Sequence, residues 1–259
     1  MVRAISSLGI PIWREGRIAF EAAELRRDPV LRGEGVPKGD GSPVLLIPGF
    51  LAGDPSLRTM ALWLRRLGYK PCRARMRVNV DCTTRAVDRL EEELAALVEQ
   101  HGRKALIVGQ SRGGCMARLL ATRRPDLVAG IVTLGSPLVD QFAVHPLVRL
   151  QVTLVGALGT VGFPGLFAYG CGYGKCCEDA RAHANAPFPR GIGFTSIYSR
   201  RDGIVDWRSC LDPAADHVEV DATHIGMSVN AEAYRAVAAA LKSFRRRRAA
   251  GTRPAARAA

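Results

Sequence analysis

The five residues Gly109-Gln110-Ser111-Arg112-Gly113 constrain this chain more than any other stretch. They stand between an apolar run at 105–108, which reads as a buried strand, and a helix-compatible run at 113–124. A chain that passes from strand to helix within so few residues brings two backbones into close approach. Glycines on both sides of Ser111 answer that need, because side chains there would strike neighbouring backbone. The serine is left strained at the apex, its oxygen exposed at the sheet edge. The helix N-terminus behind it favours developing negative charge.

The rest of the chain supplies a sheet for that turn to sit on. Apolar or β-branched runs at 44–47, 127–134, 192–198 and 217–220 read as strands, and 69–76 is a weaker one because of its arginines. Segments 57–68, 84–101 and 231–244 carry helical spacing; Val87, Leu90, Leu94, Leu97 and Val98 make the second the clearest amphipathic helix. Strand and helix in alternation imply an α/β fold with a mostly parallel central sheet and helices on both faces. Ligands of such sheets gather beyond the carboxyl ends of the strands.

Four regions follow. Residues 1–43 are a lead-in with a helical piece at 14–27; 44–135 and 191–244 form the core; 136–190 is an apolar, glycine-rich cap insertion; 245–259 is a basic tail. The 259 residues are 47% hydrophobic, enough for one sizeable core. The net charge of +13 is concentrated at the end, where seven basic residues and no acid lie from Lys242 onward. That tail has too few large apolar residues to pack and reads as disordered. It leaves open a peripheral contact with anionic membrane, whereas no motif supports nucleic-acid binding. Charges at Arg3, Arg14, Glu15 and Arg17 interrupt any signal-peptide core, and the seven cysteines suit a reducing compartment, so a cytoplasmic location is expected. Segment 151–174 carries no charge and is long enough to span a bilayer, but its glycines and Pro164 argue for a mobile cap instead.

A serine hydroxyl needs a base to become a nucleophile. Of the five histidines, His101 ends a helix, His145 and His183 lie in the cap, and His217 opens a strand. His224 follows the last strand, just before the final helix, where a base could reach Ser111. An acid must then orient the imidazole. Asp202 begins the turn after the strand at 192–198, and Asp206 is its rival. Two N–H donors for an oxyanion are expected from the backbone of Arg112 and from Pro48-Gly49-Phe50-Leu51, with Phe50 preferred to Leu51. Cap residues Leu154, Leu158, Phe163 and Phe167, with Leu51, are the expected lining of an acyl site. Cys171, Cys176, Cys177 and His183 lack the paired spacing of common zinc sites, so no metal is expected. Free thiols are the expectation there, with a disulfide from Cys171 to Cys176 or Cys177 as the alternative.

Taken together, Pro48-Gly49-Phe50, the 109–113 turn, 199–205 and His224-Ile225-Gly226-Met227 resemble the α/β-hydrolase superfamily over 44–244, and more narrowly bacterial esterases and lipases of the triacylglycerol-lipase-like group. Pro48 stands where that group often has histidine, and Gln110 likewise. The resemblance implies cleavage of carboxylic esters through an acyl-enzyme, with Ser111, His224 and Asp202 as the triad and no cofactor. The apolar cap points to a lipophilic small-molecule ester. An acyltransferase or thioesterase would use the same triad, and a binding protein that kept the fold without turnover is the non-enzymatic alternative.

Overall fold

The computed structural model describes residues 10–171 and 174–251, with side chains up to 245. Six strands form one parallel sheet: β1 (Pro43–Ile47), β2 (Lys70–Arg73), β3 (Ala105–Gln110), β4 (Val128–Leu134), β5 (Gly193–Tyr198) and β6 (Asp216–Glu219). Their spatial order is β2-β1-β3-β4-β5-β6. The central strands are buried on both faces and therefore read as continuous apolar runs rather than alternating ones. Their residues still alternate between two cores. Val44, Leu46, Leu106, Val108 and Val132 pack with α2 (Arg58–Leu67) and α7 (Ala231–Gly251). Leu45, Ile47, Ile107 and Ile131 pack on the opposite face with α3 (Thr83–His101) and α4 (Arg112–Arg123). The chain reverses its winding at β1 and β3, which opens a crevice beyond their carboxyl ends.

Three segments carry detail that the sequence reading did not supply. In the lead-in, a short 3-10 turn (Ile12–Arg17) and α1 (Ile18–Arg27), which docks on the turn at Gly226–Val229, bury Glu15, Glu21 and Leu25. The cap contains two helices, α5 (Pro146–Thr160) and α6 (Glu178–Asn185). Glycine in α5 serves close packing, since a Cβ on Gly159 would collide with the carbonyl oxygen of Phe167. Finally, α7 continues to Gly251, so residues 245–251 are helical, whereas disorder was expected from 245 onward. Alanine and arginine are good helix formers and extend a helix already nucleated against the sheet. Residues 252–259 of that tail lie outside the described residues. Among the described residues, no helix is long and apolar enough to cross a membrane.

Candidate active site

Ser111 sits where β3 ends and α4 begins, with φ 52° and ψ −123°. This backbone region is strained for an L-residue and costs on the order of 1–3 kcal/mol. The surroundings enforce it. The Ser111 amide donates to the Leu134 carbonyl at 2.8 Å, and its own carbonyl accepts from Gly114 at 2.9 Å. A Cβ on Gly109 would collide with the Gly113 carbonyl, and one on Gly113 with the Ile47 carbonyl. Glycine is therefore required on both sides, as the sequence pattern implied. The Ser111 hydroxyl has no hydrogen-bond partner among the described residues.

His224 and Asp202 meet beside this turn. His224 Nδ1 lies 2.7 Å from Asp202 Oδ2, and both side chains are buried. The other Asp202 oxygen, Oδ1, accepts from the amides of Ile204 (2.8 Å) and Val205 (2.7 Å), which fixes the carboxylate. The pair stands over the end of β4, close to where a Cβ on Gly135 would be. Asp206, the rival acid, is occupied elsewhere: it caps the turn Trp207–Cys210 through the Arg208 amide. Burial alone would pull the His224 imidazole down. The charge of Asp202, its hydrogen bond and the charge of Glu15 outweigh that and hold it above the ordinary value.

Two features of this loop were not legible from sequence spacing. Glu15 reaches across 188 to 210 residues of chain to accept from the amides of Gly203 (2.9 Å), His224 (2.9 Å) and Ile225 (2.8 Å). Glu21 accepts from the Thr223 amide and from Asn230 Nδ2. The lead-in thus clamps the loops of both Asp202 and His224. Gln110 in turn donates from Nε2 to the His224 carbonyl at 3.0 Å, joining the serine turn to the histidine loop. Acidic residues set among the apolar positions of the helical stretch at 14–27 are the sequence signal that could have flagged this clamp.

On the other side of Ser111, Phe50 follows Gly49, whose Cβ position would lie 3.2 Å from Ser111 Cβ. Arg112 is the first residue of α4, so its amide lacks an intrahelical acceptor. The Arg112 side chain does something sequence reading did not anticipate. Its guanidinium donates to Asn79 O and Oδ1 (both 3.0 Å), Asp81 O (2.6 Å) and Thr83 Oγ1 (3.3 Å). Asn79 in turn donates to the Pro48 carbonyl and pairs with Phe50. Arg112 also lies over the Phe167 ring, 5.6 Å from its centroid, and burial draws it down to about 10.

The expected lining residues divide. Phe167 packs against Phe50, with ring centroids 6.2 Å apart. Leu51, Leu154, Leu158 and Phe163 are exposed to solvent. Phe163 also lines an open cleft of about 400 Å³ with Asp81, Arg85 and Leu166. Away from Ser111, Cys171, Cys176 and Cys177 converge with Cys82, which the sequence had not linked to them, while His183 faces Asp179 at 3.6 Å.

The sequence model for the α/β-hydrolase fold matches residues 43–152. Among curated proteins, none is a significant sequence match. Solved structures do resemble the chain. The mature lipase of Bacillus licheniformis aligns with a TM-score of 0.55 at 14% identity, covering 81% of this chain and 94% of its own. The monoacylglycerol lipase of Paleococcus ferrophilus gives 0.55 at 16%, covering 81% and 97%. A soluble variant of the Saccharomyces cerevisiae monoglyceride lipase gives 0.53 at 13%, covering 82% and 90%. The sheet order, the strand–turn–helix around Ser111 and these alignments agree on an α/β-hydrolase fold, with lipases and esterases among the solved structures that share it.

Proposed function

We propose that this protein is a serine hydrolase of carboxylic esters with an apolar acyl group. The observation that carries the reading is a serine held at positive φ on a strand–helix turn, next to a buried His224–Asp202 pair. Strain is maintained at Ser111 although it costs stability, and the neighbouring imidazole is oriented by a carboxylate whose second oxygen is already satisfied.

In this mechanism Ser111 Oγ attacks the ester carbonyl while His224 Nε2 takes the hydroxyl proton. The Asp202 carboxylate holds the imidazole in the tautomer with Nδ1 protonated and stabilises the imidazolium. The amides of Phe50 and Arg112 receive the oxyanion. His224 returns its proton to the departing alcohol, leaving the acyl group on Ser111. Water, activated by His224, then releases the acid and restores the serine. No step calls for a cofactor. The serine–histidine hydrogen bond forms when substrate organises the site, as is common for catalytic contacts that are loose beforehand.

The apolar acyl preference rests on Phe50 and Phe167 beside the serine and on the leucines that α5 presents to solvent. Labelling with a fluorophosphonate probe tests the reading. Wild-type protein should label and the Ser111→Ala variant should not; equal labelling of both would refute it. A p-nitrophenyl ester series should favour medium acyl chains over acetate.

A further inference from the structure

We propose that Cys82, Cys171, Cys176 and Cys177 form a four-thiolate site for a single structural zinc ion, which fastens the cap to the start of α3. Their sulfurs all lie within 4.8 Å of one another. Zn–S bonds of about 2.3 Å in a tetrahedron place sulfurs about 3.8 Å apart. The Cys82–Cys177 separation is 3.4 Å and the Cys176–Cys177 separation 3.9 Å, so the cluster already has nearly that size. Cys177 is close to two different sulfurs at once, an arrangement suited to a shared centre rather than to one pair. An all-sulfur set of this geometry favours a soft or borderline ion with four ligands. A polynuclear iron–sulfur cluster would hold its cysteines farther apart, around several metal atoms.

The surroundings suit thiolates. Cys82 is the residue before α3 and Cys177 the residue before α6, so two helix N-termini face the cluster. Thr84 Oγ1 donates to the Cys176 carbonyl at 2.6 Å, and the first-turn amides of α3 at Thr84 and Arg85 lie near the sulfurs of Cys177 and Cys82. Amides placed this way can orient thiolate ligands and spread their charge. Four thiols would each give up a proton on binding, leaving a centre of charge −2. Arg85 and Arg112 are near enough to interact with its sulfurs electrostatically.

The segment that bears three of the four cysteines packs Cys177 and Cys171 against the α3–α4 side of the core. It is rich in glycine, and its hydrogen bonds to the 80–85 stretch are Phe167 N to Val80 O, Thr84 Oγ1 to Cys176 O and Arg85 Nη2 to Leu166 O. All of these end within a few residues of Cys82. A metal there would close the cap onto 79–83, the same stretch that Arg112 and Phe50 contact.

The test is metal content. Protein made with zinc chloride in the medium and purified under reductant should carry about one zinc per chain by elemental analysis. Cobalt(II) chloride added to the metal-free protein should produce thiolate-to-metal charge transfer and the intense visible bands of a tetrahedral ion. Cys171→Ser and Cys176→Ser, at the less buried positions, should lose stoichiometric zinc, while Cys72→Ser outside the cluster should keep it. Absence of zinc with all seven thiols titrating freely would overturn the proposal. So would disulfides among the four cysteines by non-reducing peptide mapping, or full zinc retained in both variants.

Discussion

Under the proposed reading, Ser111, His224 and Glu15 have separable roles that mutation can test. Ser111→Ala should lower ester hydrolysis by roughly 10⁴–10⁶-fold with little change in fold, read as kcat on a p-nitrophenyl ester. The pH dependence follows from His224, which must be neutral to act as base. Its folded pKa is raised, so kcat/KM should rise through a midpoint above the ordinary histidine value. Asp202→Asn should move that midpoint down, and Glu15→Gln should move it down by less, because Asp202 is the stronger of the two influences. A midpoint unmoved by Glu15→Gln would mean that Glu15 only braces the backbone. Stability runs the other way. With the folded pKa above the unfolded one, the charged His224–Asp202 pair stabilises the fold in full below about pH 6.5 and ceases to do so as pH rises through the folded value. Thermal melts across that window should therefore fall as activity climbs.

At the scale of elements, the question is how the cap is joined to the sheet. Arg118 of α4 pairs with Asp212 at 2.6 Å and donates to the Ala184 and Ala186 carbonyls at the end of α6. Both side chains of the pair are largely buried. Arg118→Ala would strand a buried carboxylate and two carbonyls, and should cost about 3–5 kcal/mol in denaturant unfolding. Within the cap, Phe167 and the leucines of α5 should behave differently. Phe167→Ala removes a ring shared by Phe50 and Arg112 and should lower kcat/KM about 3- to 10-fold even on short esters. Leu154→Ser with Leu158→Ser changes residues that face solvent and should alter short-ester kinetics by no more than about twofold. Equal losses from both would show that α5 covers the site during turnover.

At the scale of the whole molecule, the chain closes on itself. Glu15 and Glu21, near its beginning, supply acceptors to the last loop of the sheet, and Asp28 pairs with Arg235 of α7. Glu15→Ala would leave three buried or half-buried amides without acceptors, each worth about 1–3 kcal/mol. Its Tm should fall well below that of wild type, with activity failing first because the Asp202 and His224 loops loosen before the sheet. The lead-in is therefore part of the α/β core in energetic terms, although the matched family region begins only at residue 43.

The sequence by itself determined the parts whose physics is local. The Gly-x-Ser-x-Gly turn can bridge β3 and α4 in few ways, and apolar runs of strand length between helical spacings specify a parallel layered sheet. Chain order and strand ends then singled out Asp202 and His224. Tertiary structure decided what depends on residues far apart in the chain. Nothing in the spacing of Glu15 says that it meets His224, nor does the spacing of Cys82 say that it joins Cys171, Cys176 and Cys177. The α5 leucines show the same limit: their apolar character was plain, but which way they face depends on what the sheet leaves uncovered. Local patterns fix backbone shape because they act through neighbouring atoms, whereas buried charges and sulfurs find their partners only when the whole chain has packed.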